Sequence, residues 1–457
     1  MSRKYFGTDG VRGVANKKLT PELAMKLGQG AGRWLSQTDR ARRVVIGRDT
    51  RKSGTMLGAA LAAGFNSVGI EVVTLGVAPT PAIAFVARMG EYGMGAIVSA
   101  SHNPAPDNGI KFVGHNGAKL PDEVELTIEG LMDSEESRPT GRDIGAIRAD
   151  RSELAPYMDA LVNVIPERLD GMKIALDCAH GAGYELGPEA LRRLGAEVVL
   201  IGASPDGLNI NAEGGATKPE TIQALASQCG AVIGCAYDGD ADRVIFSDEK
   251  GRLINGDRTI GIWAAHMQRA GKLNPPVIVG TVMSNVGFEA YVTAAGIRLE
   301  RTPVGDKYVA QRIQETNALV GGEQSGHIIF PQHGPTGDGL TTMMELLRVL
   351  RLEGRPASSF YDEYEPWPQV MVNVHVSTTR EWQTKIGAEL ASAEEEIRGH
   401  GRIVVRPSGT QPVIRVMVEA DEYALRDRVA DKLVAALERE MGGEVHGRVD
   451  LTHSLGE

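Results

Sequence analysis

The chain has 457 residues, of which 42% are hydrophobic and 24% are charged, an ordinary balance for a globular protein. At roughly 100–200 residues per domain, this length predicts three or four domains, each with its own core. The net charge of -10 comes with no long Lys or Arg run, which argues against a nucleic-acid partner, and no stretch of about 18 apolar residues predicts a membrane span.

The cysteines and the N-terminal segment indicate the compartment. Cys178, Cys229 and Cys235 are odd in number, lie in apolar stretches and lack CxxC spacing. We therefore expect buried reduced thiols rather than disulfides or a zinc site. Residues 1–13 are polar and glycine-rich and contain no apolar signal-peptide core, so we expect a cytoplasmic protein.

Residues 1–155 alternate between strand and helix patterns, which predicts a largely parallel sheet with helices on its faces. Ser53 is predicted to cap a helix that ends near Gly69. The polar stretch 134–150 is interpreted as a linker or a surface excursion. The predicted strands are 44–49, 71–75 and 95–100, with a further helix over 81–89.

The same alternation restarts twice, and then the order changes. Segment 156–255 has predicted strands 173–177, 197–201 and 231–237 with helices 188–195 and 219–228. Segment 256–365 has predicted strands 277–282, 298–302 and 318–321 and a long last helix over 340–352. Segment 366–457 has predicted strands 370–376, around Ile403 and 413–418, with helices 384–398 and 423–440. The fold class is therefore α/β, with three mostly parallel domains and a smaller C-terminal α+β domain.

Each segment places one polar loop directly after an apolar strand. Ligands of open α/β sheets bind beyond the carboxyl ends of the strands, so these loops are candidates for one shared cleft. The loops are 101–104, 238–243, 322–327 and 406–415.

The second loop carries three carboxylates, Asp238, Asp240 and Asp242, at every other position. In an extended segment this spacing places them on one face, and hard oxygen ligands suit Mg²⁺. An EF-hand calcium loop is an alternative, since Glu249 falls at its twelfth position, but Arg243 occupies the position that needs glycine. A solvated acidic turn is the other alternative.

The remaining loops are less specific one by one. Ser101 alone is more typical of a turn than of a nucleophile, and a Ser–His hydrolase lacks support because no GxSxG motif is present and His102 is adjacent in sequence. Glu323, Ser325 and His327 could hydrogen-bond sugar hydroxyls or form an ordinary polar turn. The last loop has a composition suited to phosphate oxygens in Arg406, Ser408, Gly409, Thr410 and Arg415.

Taken together, the motifs resemble the α-D-phosphohexomutase superfamily over essentially the whole chain. They are FGTDGVRG (6–13), SASHNP (99–104), DGDADR (238–243), GGEQSGH (321–327) and SGT (408–410). The first and fourth motifs, with TPVGDK (302–307), are most similar to members that act on glucosamine phosphates. Phosphomannomutases, phosphoglucomutases, a non-catalytic sugar-phosphate sensor and a metal-dependent phosphatase remain alternatives.

The resemblance implies a four-domain phosphohexomutase architecture around a central cleft and one role for each loop. Ser101 would carry a phosphoryl group and, with the three aspartates, bind one Mg²⁺ per subunit, with Arg243 near the metal. The implied catalytic residues are Ser101, His102, Lys111, Arg12 and His327, with Lys111 and His327 as candidates for proton transfer. The implied substrate-binding residues are Lys307, Glu323, Ser325, Arg406, Ser408, Gly409, Thr410 and Arg415.

The activity implied is the interconversion of glucosamine 6-phosphate and glucosamine 1-phosphate, which feeds the synthesis of UDP-N-acetylglucosamine and cell-wall precursors. Glucosamine 1,6-bisphosphate would be the intermediate and activator. The resemblance also implies a homodimer and a first phosphorylation of Ser101 by a kinase or by autophosphorylation. One departure stands out: Gln411 occupies the position where the superfamily usually has glutamate.

Overall fold

The computed structural model describes residues 3–7, 9–134, 137–408 and 412–455, and these contain four sheets, one in each predicted segment. The strand order in the first sheet is β1-β5-β4-β2-β3-β6, in which β4, β2, β3 and β6 are parallel and β5 runs antiparallel to its neighbours. Its elements are β1 Val11–Val14, α1 Pro21–Ser36, β2 Arg43–Arg48, α2 Lys52–Asn66, β3 Glu71–Val77, α3 Thr80–Met89, β4 Met94–Val98, β5 Asp107–Gly114, α4 Asp122–Leu131 and β6 Ile147–Ala149.

Glycines allow helices α1 and α2 to pack closely against each other. A Cβ atom on Gly28 would lie 2.3 Å from the carbonyl oxygen of Leu61, and one on Gly64 would lie 2.2 Å from that of Met25. Both distances are far below van der Waals contact, so neither position tolerates a side chain without separating the helices.

Three predictions for the first domain need correction. Arg51, not Ser53, precedes α2, and Ser53 instead accepts a hydrogen bond from Asn108 at 2.9 Å. Residues 107–109, whose Asp-Asn-Gly sequence predicts a turn, instead begin the buried strand β5. The stretch 134–150 is more than a linker, because it ends in β6, which pairs with β3.

The second and third sheets again place parallel strands beside a terminal antiparallel hairpin, in the orders β11-β10-β9-β7-β8 and β13-β12-β14-β15. The predicted strand 318–321 is reduced to the two-residue β14, which pairs with β12 at a single position, Val279 with Gly321. The elements of the second sheet's domain are α5 Ala155–Asn163, β7 Lys173–Asp177, α6 Leu186–Arg193, β8 Glu197–Ile201, α7 Pro219–Cys229, β9 Ile233–Tyr237, β10 Val244–Asp248 and β11 Leu253–Ile254. The next domain contains α8 Gly256–Arg269, β12 Val277–Thr281, α9 Val286–Ala294, β13 Arg298–Thr302, α10 Asp306–Thr316, β14 Gly321–Gly322, β15 Ile328–Ile329, α11 Gly339–Glu353 and α12 Ala357–Tyr361.

The fourth domain is a fully antiparallel sheet, ordered β17-β18-β16-β19, that packs its own core against helices. The single helix predicted over 384–398 is two helices that meet at Ile386. Strand β19 was not predicted, because its residues are almost all exposed and form no apolar face. The elements are β16 Gln369–His375, α13 Trp382–Lys385, α14 Gly387–Ile397, β17 Gly401–Pro407, β18 Val413–Ala420, α15 Tyr423–Met441 and β19 Glu444–Asp450.

The predicted fold class, three α/β domains and a smaller α+β domain, is confirmed. One hydrophobic cluster runs through the first three domains, joining Val45, Phe246 and Phe288, whereas the fourth domain has a separate core. The domain boundaries at 155/156, 255/256 and 365/366 stay predictions. The three cysteines are free, with Cys178 and Cys235 buried and Cys229 only partly so. In the described part of the chain, no helix is long and apolar enough to cross a membrane.

A buried ion pair in the fourth domain holds the loop that follows β12. Glu419 is fully buried; it accepts hydrogen bonds from Arg402 Nε at 2.7 Å and from the backbone N–H of Val286 at 2.6 Å. Arg402 in turn donates to the carbonyl oxygens of Val282 and Ser284, at 2.8 and 2.6 Å. This network fixes the fourth domain against the third.

Replacing Glu419 by alanine should lower the free energy of unfolding by about 3–5 kcal/mol, because it leaves a partly buried guanidinium and a backbone N–H without their carboxylate. Denaturant unfolding and hydrogen exchange in β16 and β18 measure the effect. The control is Glu394→Ala on the exposed side of α14, which should change stability by no more than about 0.5 kcal/mol. Equal effects of the two substitutions would contradict the structural role of the pair.

Candidate active site

The acidic loop 238–243 connects the antiparallel strands β9 and β10. It is a tight turn rather than an extended segment, and Ala241 at its centre has a left-handed φ of 58°. The prediction that alternation along a strand aligns the three carboxylates is therefore wrong in its geometry, because the turn itself gathers them. Asp238, Asp240 and Asp242 are all buried, and one potential ligand atom of each lies within 4.8 Å of the others.

Crowding three buried carboxylates separates their pKa values. Burial, reinforced by the charges of Asp242 and Asp240, raises the pKa of Asp238 well above its usual range. Burial acts in the same direction on Asp240, but the charge of Lys111 and a hydrogen bond from Thr80 outweigh it and lower its pKa to about 2. A third full negative charge in the cluster is therefore disfavoured by the protein surroundings alone.

Two carboxylate oxygens in this cluster fit a metal ion. Asp240 Oδ2 accepts from Thr80 at 2.5 Å and from Lys111 Nζ at 3.1 Å. Asp240 Oδ1 and Asp242 Oδ1 are buried and have no hydrogen-bond partner among the described residues. Buried unpaired carboxylate oxygens are costly, and a hard divalent cation is the ligand that such oxygens accept. Glu249 is used elsewhere, since it accepts from the backbone of Ser358, which removes support for the EF-hand alternative.

Ser101 lies beside this cluster, just beyond β4. Its hydroxyl donates to Asp238 Oδ2 at 2.6 Å, although the two residues are 137 positions apart in sequence. Its backbone φ of 49° is left-handed, which is uncommon for a residue with a side chain. His102 Nδ1 is 3.4 Å from the same hydroxyl. The serine therefore faces the acidic cluster rather than an activating histidine.

Basic groups surround the carboxylates. Burial alone would lower the pKa of Lys111, but the charges of Asp240, Asp9 and Asp242 outweigh it and raise that pKa, so the ammonium is retained. Arg12 pairs with Asp9, and its guanidinium also donates to the carbonyl oxygen of Ala100 at 3.4 Å. The site combines a dense set of anions with the cations that hold them.

His327 is buried against the third carboxylate. Its Nδ1 is 3.9 Å from Asp242 Oδ2, and its Nε2 accepts the backbone N–H of Gly337 at 3.2 Å. A neutral imidazole that accepts at Nε2 carries its proton on Nδ1, facing the aspartate. A Cβ atom on Gly337 would lie 2.3 Å from His327 Nε2, so the imidazole fits here only because residue 337 has no side chain.

A cavity of about 240 Å³ opens onto Ser101 and collects residues from the first three domains. Seven predicted site residues line it: Arg12, Ser101, Asp242, Arg243, Glu323, Ser325 and His327. Seven others were not predicted: Asp9, Thr281, Met283, Val304, Gly305, Asp306 and Gln324. Five of these, Asp9, Val304, Gly305, Asp306 and Gln324, lie inside motifs quoted for the resemblance, so the sequence signal was available for them.

The remaining predicted residues that the structure describes do not line this cavity. Lys307 reaches across to the first domain and pairs with Asp122 at 3.3 Å. Ser408 follows β17, and Gly409 and Thr410 lie outside the described residues, as does Gln411. Lys111, Asp238 and Asp240 lie beneath the cavity wall, and His102 stands beside Ser101.

Arg406 and Arg415 face each other as a cross-strand pair on β17 and β18. Burial, and then the charge of Arg415, lower the pKa of Arg406, while Glu323 of the third domain opposes the shift. Like charges opposite each other on a sheet repel, and an anion between them relieves the repulsion. This pair and Ser408 are the predicted phosphate-binding residues that the structure describes.

Family models match each part of the chain in order. Models described as phosphoglucomutase/phosphomannomutase alpha/beta/alpha domains I, II and III match residues 3–139, 155–251 and 255–367, and the C-terminal domain model of the same family matches 371–436. The chain therefore belongs to the phosphoglucomutase/phosphomannomutase family, and the predicted four-domain phosphohexomutase architecture is confirmed.

Full-length relatives narrow this assignment. A phosphoglucosamine mutase of Xanthobacter autotrophicus is 45% identical over 444 residues, covering 96% of this chain and 99% of the relative. One from Desulforudis audaxviator is 47% identical over 439 residues, covering 94% and 96%. The chain is thus a member of the phosphoglucosamine mutase branch of the family.

Solved structures agree on the fold. A phosphoglucomutase/phosphomannomutase family protein from Burkholderia thailandensis is 26% identical, with a TM-score of 0.81 over 96% of this chain and 98% of the other. The N-acetylphosphoglucosamine mutase of Aspergillus fumigatus is 18% identical, with a TM-score of 0.67 over 96% of each chain, and shows the same fold.

Replacing Asp240 by asparagine should weaken Mg²⁺ binding by at least about tenfold, because it removes one of the buried anionic ligands and its charge. Calorimetric titration of Mg²⁺ into the protein measures the change directly. Glu249→Gln is the matched control, an acidic residue seven positions from Asp242 that bonds elsewhere. An unchanged dissociation constant in the Asp240 variant would overturn the assignment of the cluster as a metal site.

Proposed function

We propose that this enzyme interconverts glucosamine 6-phosphate and glucosamine 1-phosphate, with Ser101 as the phosphoryl carrier. The observation that carries the proposal is the contact between the Ser101 hydroxyl and Asp238, one of three clustered buried aspartates. A hydroxyl placed there can bear a phosphoryl group whose oxygens meet a bound cation. Family membership supports an isomerase that transfers a phosphoryl group within its substrate.

Mg²⁺ is the cation proposed for the cluster, held by Asp238, Asp240, Asp242 and the phosphate on Ser101. When bound it would neutralise charge on the phosphoryl oxygens. The chain supplies the rest: Lys111 balances Asp240 and Asp242, at 3.1 and 3.5 Å, and Arg12 and Arg243 line the cavity where the charged substrate enters. A phosphoserine adds about -1.5 to -2 charges, which these cations offset.

The proposed reaction has two mirrored transfers. In the first, the P–O bond to Ser101 breaks as a new P–O bond forms to the free hydroxyl of the sugar monophosphate. Lys111 or His327 gives a proton to the serine oxygen and regains one from the sugar hydroxyl, so the protons balance and glucosamine 1,6-bisphosphate results. The bisphosphate then rotates in the cavity so that its two phosphates exchange places. The second transfer returns the other phosphoryl group to Ser101. The serine is regenerated, and the product differs from the substrate only in phosphate position.

Two groups are proposed to hold the protons for these steps. Lys111 retains its ammonium next to the aspartates, so it can donate a proton. His327 holds a proton on Nδ1 toward Asp242, because Gly337 occupies its other nitrogen. His102 lies closest to the serine oxygen among the imidazoles described here and is proposed to orient it.

The substrate is proposed to span the cavity between two ends. Glu323 and Ser325, which line the same cavity as Ser101, bind the sugar hydroxyls, helped by Lys307, the neighbour of the lining residue Asp306. The non-reacting phosphate binds the Arg406–Arg415 pair together with Ser408, Gly409 and Thr410. Because the bisphosphate presents a phosphate at either end, this pair must accept both orientations. Movement of the fourth domain would admit and release the sugar.

Three further properties belong to the same proposal. The first phosphoryl group reaches Ser101 from a kinase, by autophosphorylation or from the bisphosphate as activator. The enzyme works as a homodimer in the cytoplasm, where its three free cysteines remain reduced. The product feeds the synthesis of amino-sugar nucleotides and cell-wall precursors.

Replacing Ser101 by alanine should abolish mutase activity, because it removes the hydroxyl that carries the phosphoryl group. Among the described residues, Thr80 has the one other side-chain hydroxyl that bonds to the aspartate cluster. The variant should fold normally, which circular dichroism can verify. A coupled assay for glucosamine 1-phosphate measures activity. Turnover within about tenfold of the parent enzyme would rule out Ser101 as the carrier, since loss of a nucleophile costs far more.

A comparison of glucosamine, glucose and mannose 6-phosphates should show the highest kcat/KM for glucosamine 6-phosphate. The amino group is a cation at the sugar, and the cavity wall offers Glu323 and Asp306. The same assay should detect no release of inorganic phosphate beyond the background. A higher kcat/KM for the glucose or mannose substrate would contradict the proposed activity and indicate a phosphoglucomutase or phosphomannomutase. Release of inorganic phosphate without formation of an isomer would indicate a phosphatase.

A further inference from the structure

Ser101 is held in its left-handed backbone conformation by a buried network beneath the cavity floor. The residues of this network are Asp49, Arg51, Ser99 and Asn211, all of them buried. None was singled out from the sequence, and none lines the cavity. We propose that they form a backbone clamp, a set of positioning residues that fixes the phosphoryl carrier against the metal cluster. The catalytic part of this inference rests on the proposed function.

The clamp holds the N–H side of Ser101 through two hydrogen bonds in series. The backbone N–H of Ser101 donates to Ser99 Oγ at 2.9 Å, and the Ser99 hydroxyl donates to Asp49 Oδ2 at 2.6 Å. With its proton committed to the aspartate, the Ser99 oxygen must act as an acceptor toward Ser101. The aspartate thereby sets the direction of the whole chain of bonds.

The carbonyl side of Ser101 is held by two donors from different domains. Arg51 NH2 donates to the carbonyl oxygen of Ser101 at 3.1 Å, and Asn211 Nδ2 donates to the same oxygen at 2.9 Å. Both side chains also donate to the carbonyl oxygen of Asn103. Arg51 is fully buried and pairs with Asp49, so the two halves of the clamp share one carboxylate.

This arrangement explains how a non-glycine residue keeps an unfavourable conformation. A left-handed backbone costs an L-residue roughly 1–2 kcal/mol, and such strain persists only where surrounding contacts over-determine it. Ser101 cannot be glycine, because its hydroxyl is the group that meets Asp238. The clamp therefore trades local strain for a fixed hydroxyl position, and pre-organisation of this kind raises the rate of a transfer step more than it raises affinity.

The first test concerns strain and needs no enzyme activity. Ser101→Gly should melt about 2–4 °C higher than Ser101→Ala, because glycine adopts the left-handed backbone without a Cβ penalty. Adding Ser99→Ala to both variants releases one side of the clamp, and the difference between them should then fall by at least half. A Ser101→Ala variant as stable as Ser101→Gly, or a difference that Ser99→Ala leaves unchanged, overturns the clamp.

The second test separates positioning from mere structural support. Ser99→Ala and Asn211→Gly should each lower kcat by roughly ten- to hundredfold and leave KM within about threefold, measured at a temperature where both proteins are fully folded. Glycine is chosen at Asn211 because its own backbone is left-handed, at φ 58°. Ser99→Thr, which keeps the hydroxyl, should recover most of the rate.

The control is Ser247→Ala, a fully buried serine on β10 whose hydroxyl donates to the carbonyl oxygen of Asp248 rather than to any clamp residue. Its kcat should match that of the parent. Unchanged kcat in both clamp variants would overturn the positioning role. If the parent enzyme itself lacks mutase activity, the proposed function fails, while the melting experiment still decides whether the clamp exists.

Discussion

The structure depends on one costly arrangement, three buried carboxylates gathered by the tight turn between β9 and β10. Such a cluster is stable only with compensation, and apart from Arg243 in the same loop the compensating groups come from distant parts of the chain. Lys111 and Thr80 bond to Asp240 from the first domain, and the Ser101 hydroxyl bonds to Asp238. His327 approaches Asp242 from the third. The contacts that neutralise the cluster are therefore the same contacts that bring three domains to one point.

This dependence accounts for the division between the first three domains and the fourth. A single hydrophobic cluster runs through the first three, so the groups around the aspartates are fixed with respect to one another. The fourth domain has its own core and meets the third through the Glu419–Arg402 network beside the loop 282–286. Thr281 and Met283, at that loop, also line the cavity. Any shift of the fourth domain is thus transmitted to the cavity wall.

Many of the strands and helices could be predicted from local sequence. The elements that could not be predicted depend on contacts with distant residues. Strands with a buried apolar run, such as β7 and β12, were predicted within one residue of their observed bounds, because the apolar side chains that they bury are visible in the local sequence. Strand β19 is polar and exposed and is held by pairing with β16, so no local pattern reveals it. The helix cap assigned to Ser53 failed because that serine bonds to Asn108 instead.

The same distinction separates the parts of the site. Carboxylates at alternate positions identified the acidic cluster, although a turn rather than a strand gathers them. No sequence pattern marks Arg51 or Asn211 as important. Each acts only because the fold brings it to the carbonyl oxygen of Ser101, which is 50 positions from Arg51 and 110 from Asn211 in sequence. Groups that touch the ligand are recognisable by their chemistry, whereas groups that hold another residue in a strained conformation are recognisable only by geometry. For Ser101, the clamp residues decide whether its hydroxyl points at the aspartate cluster.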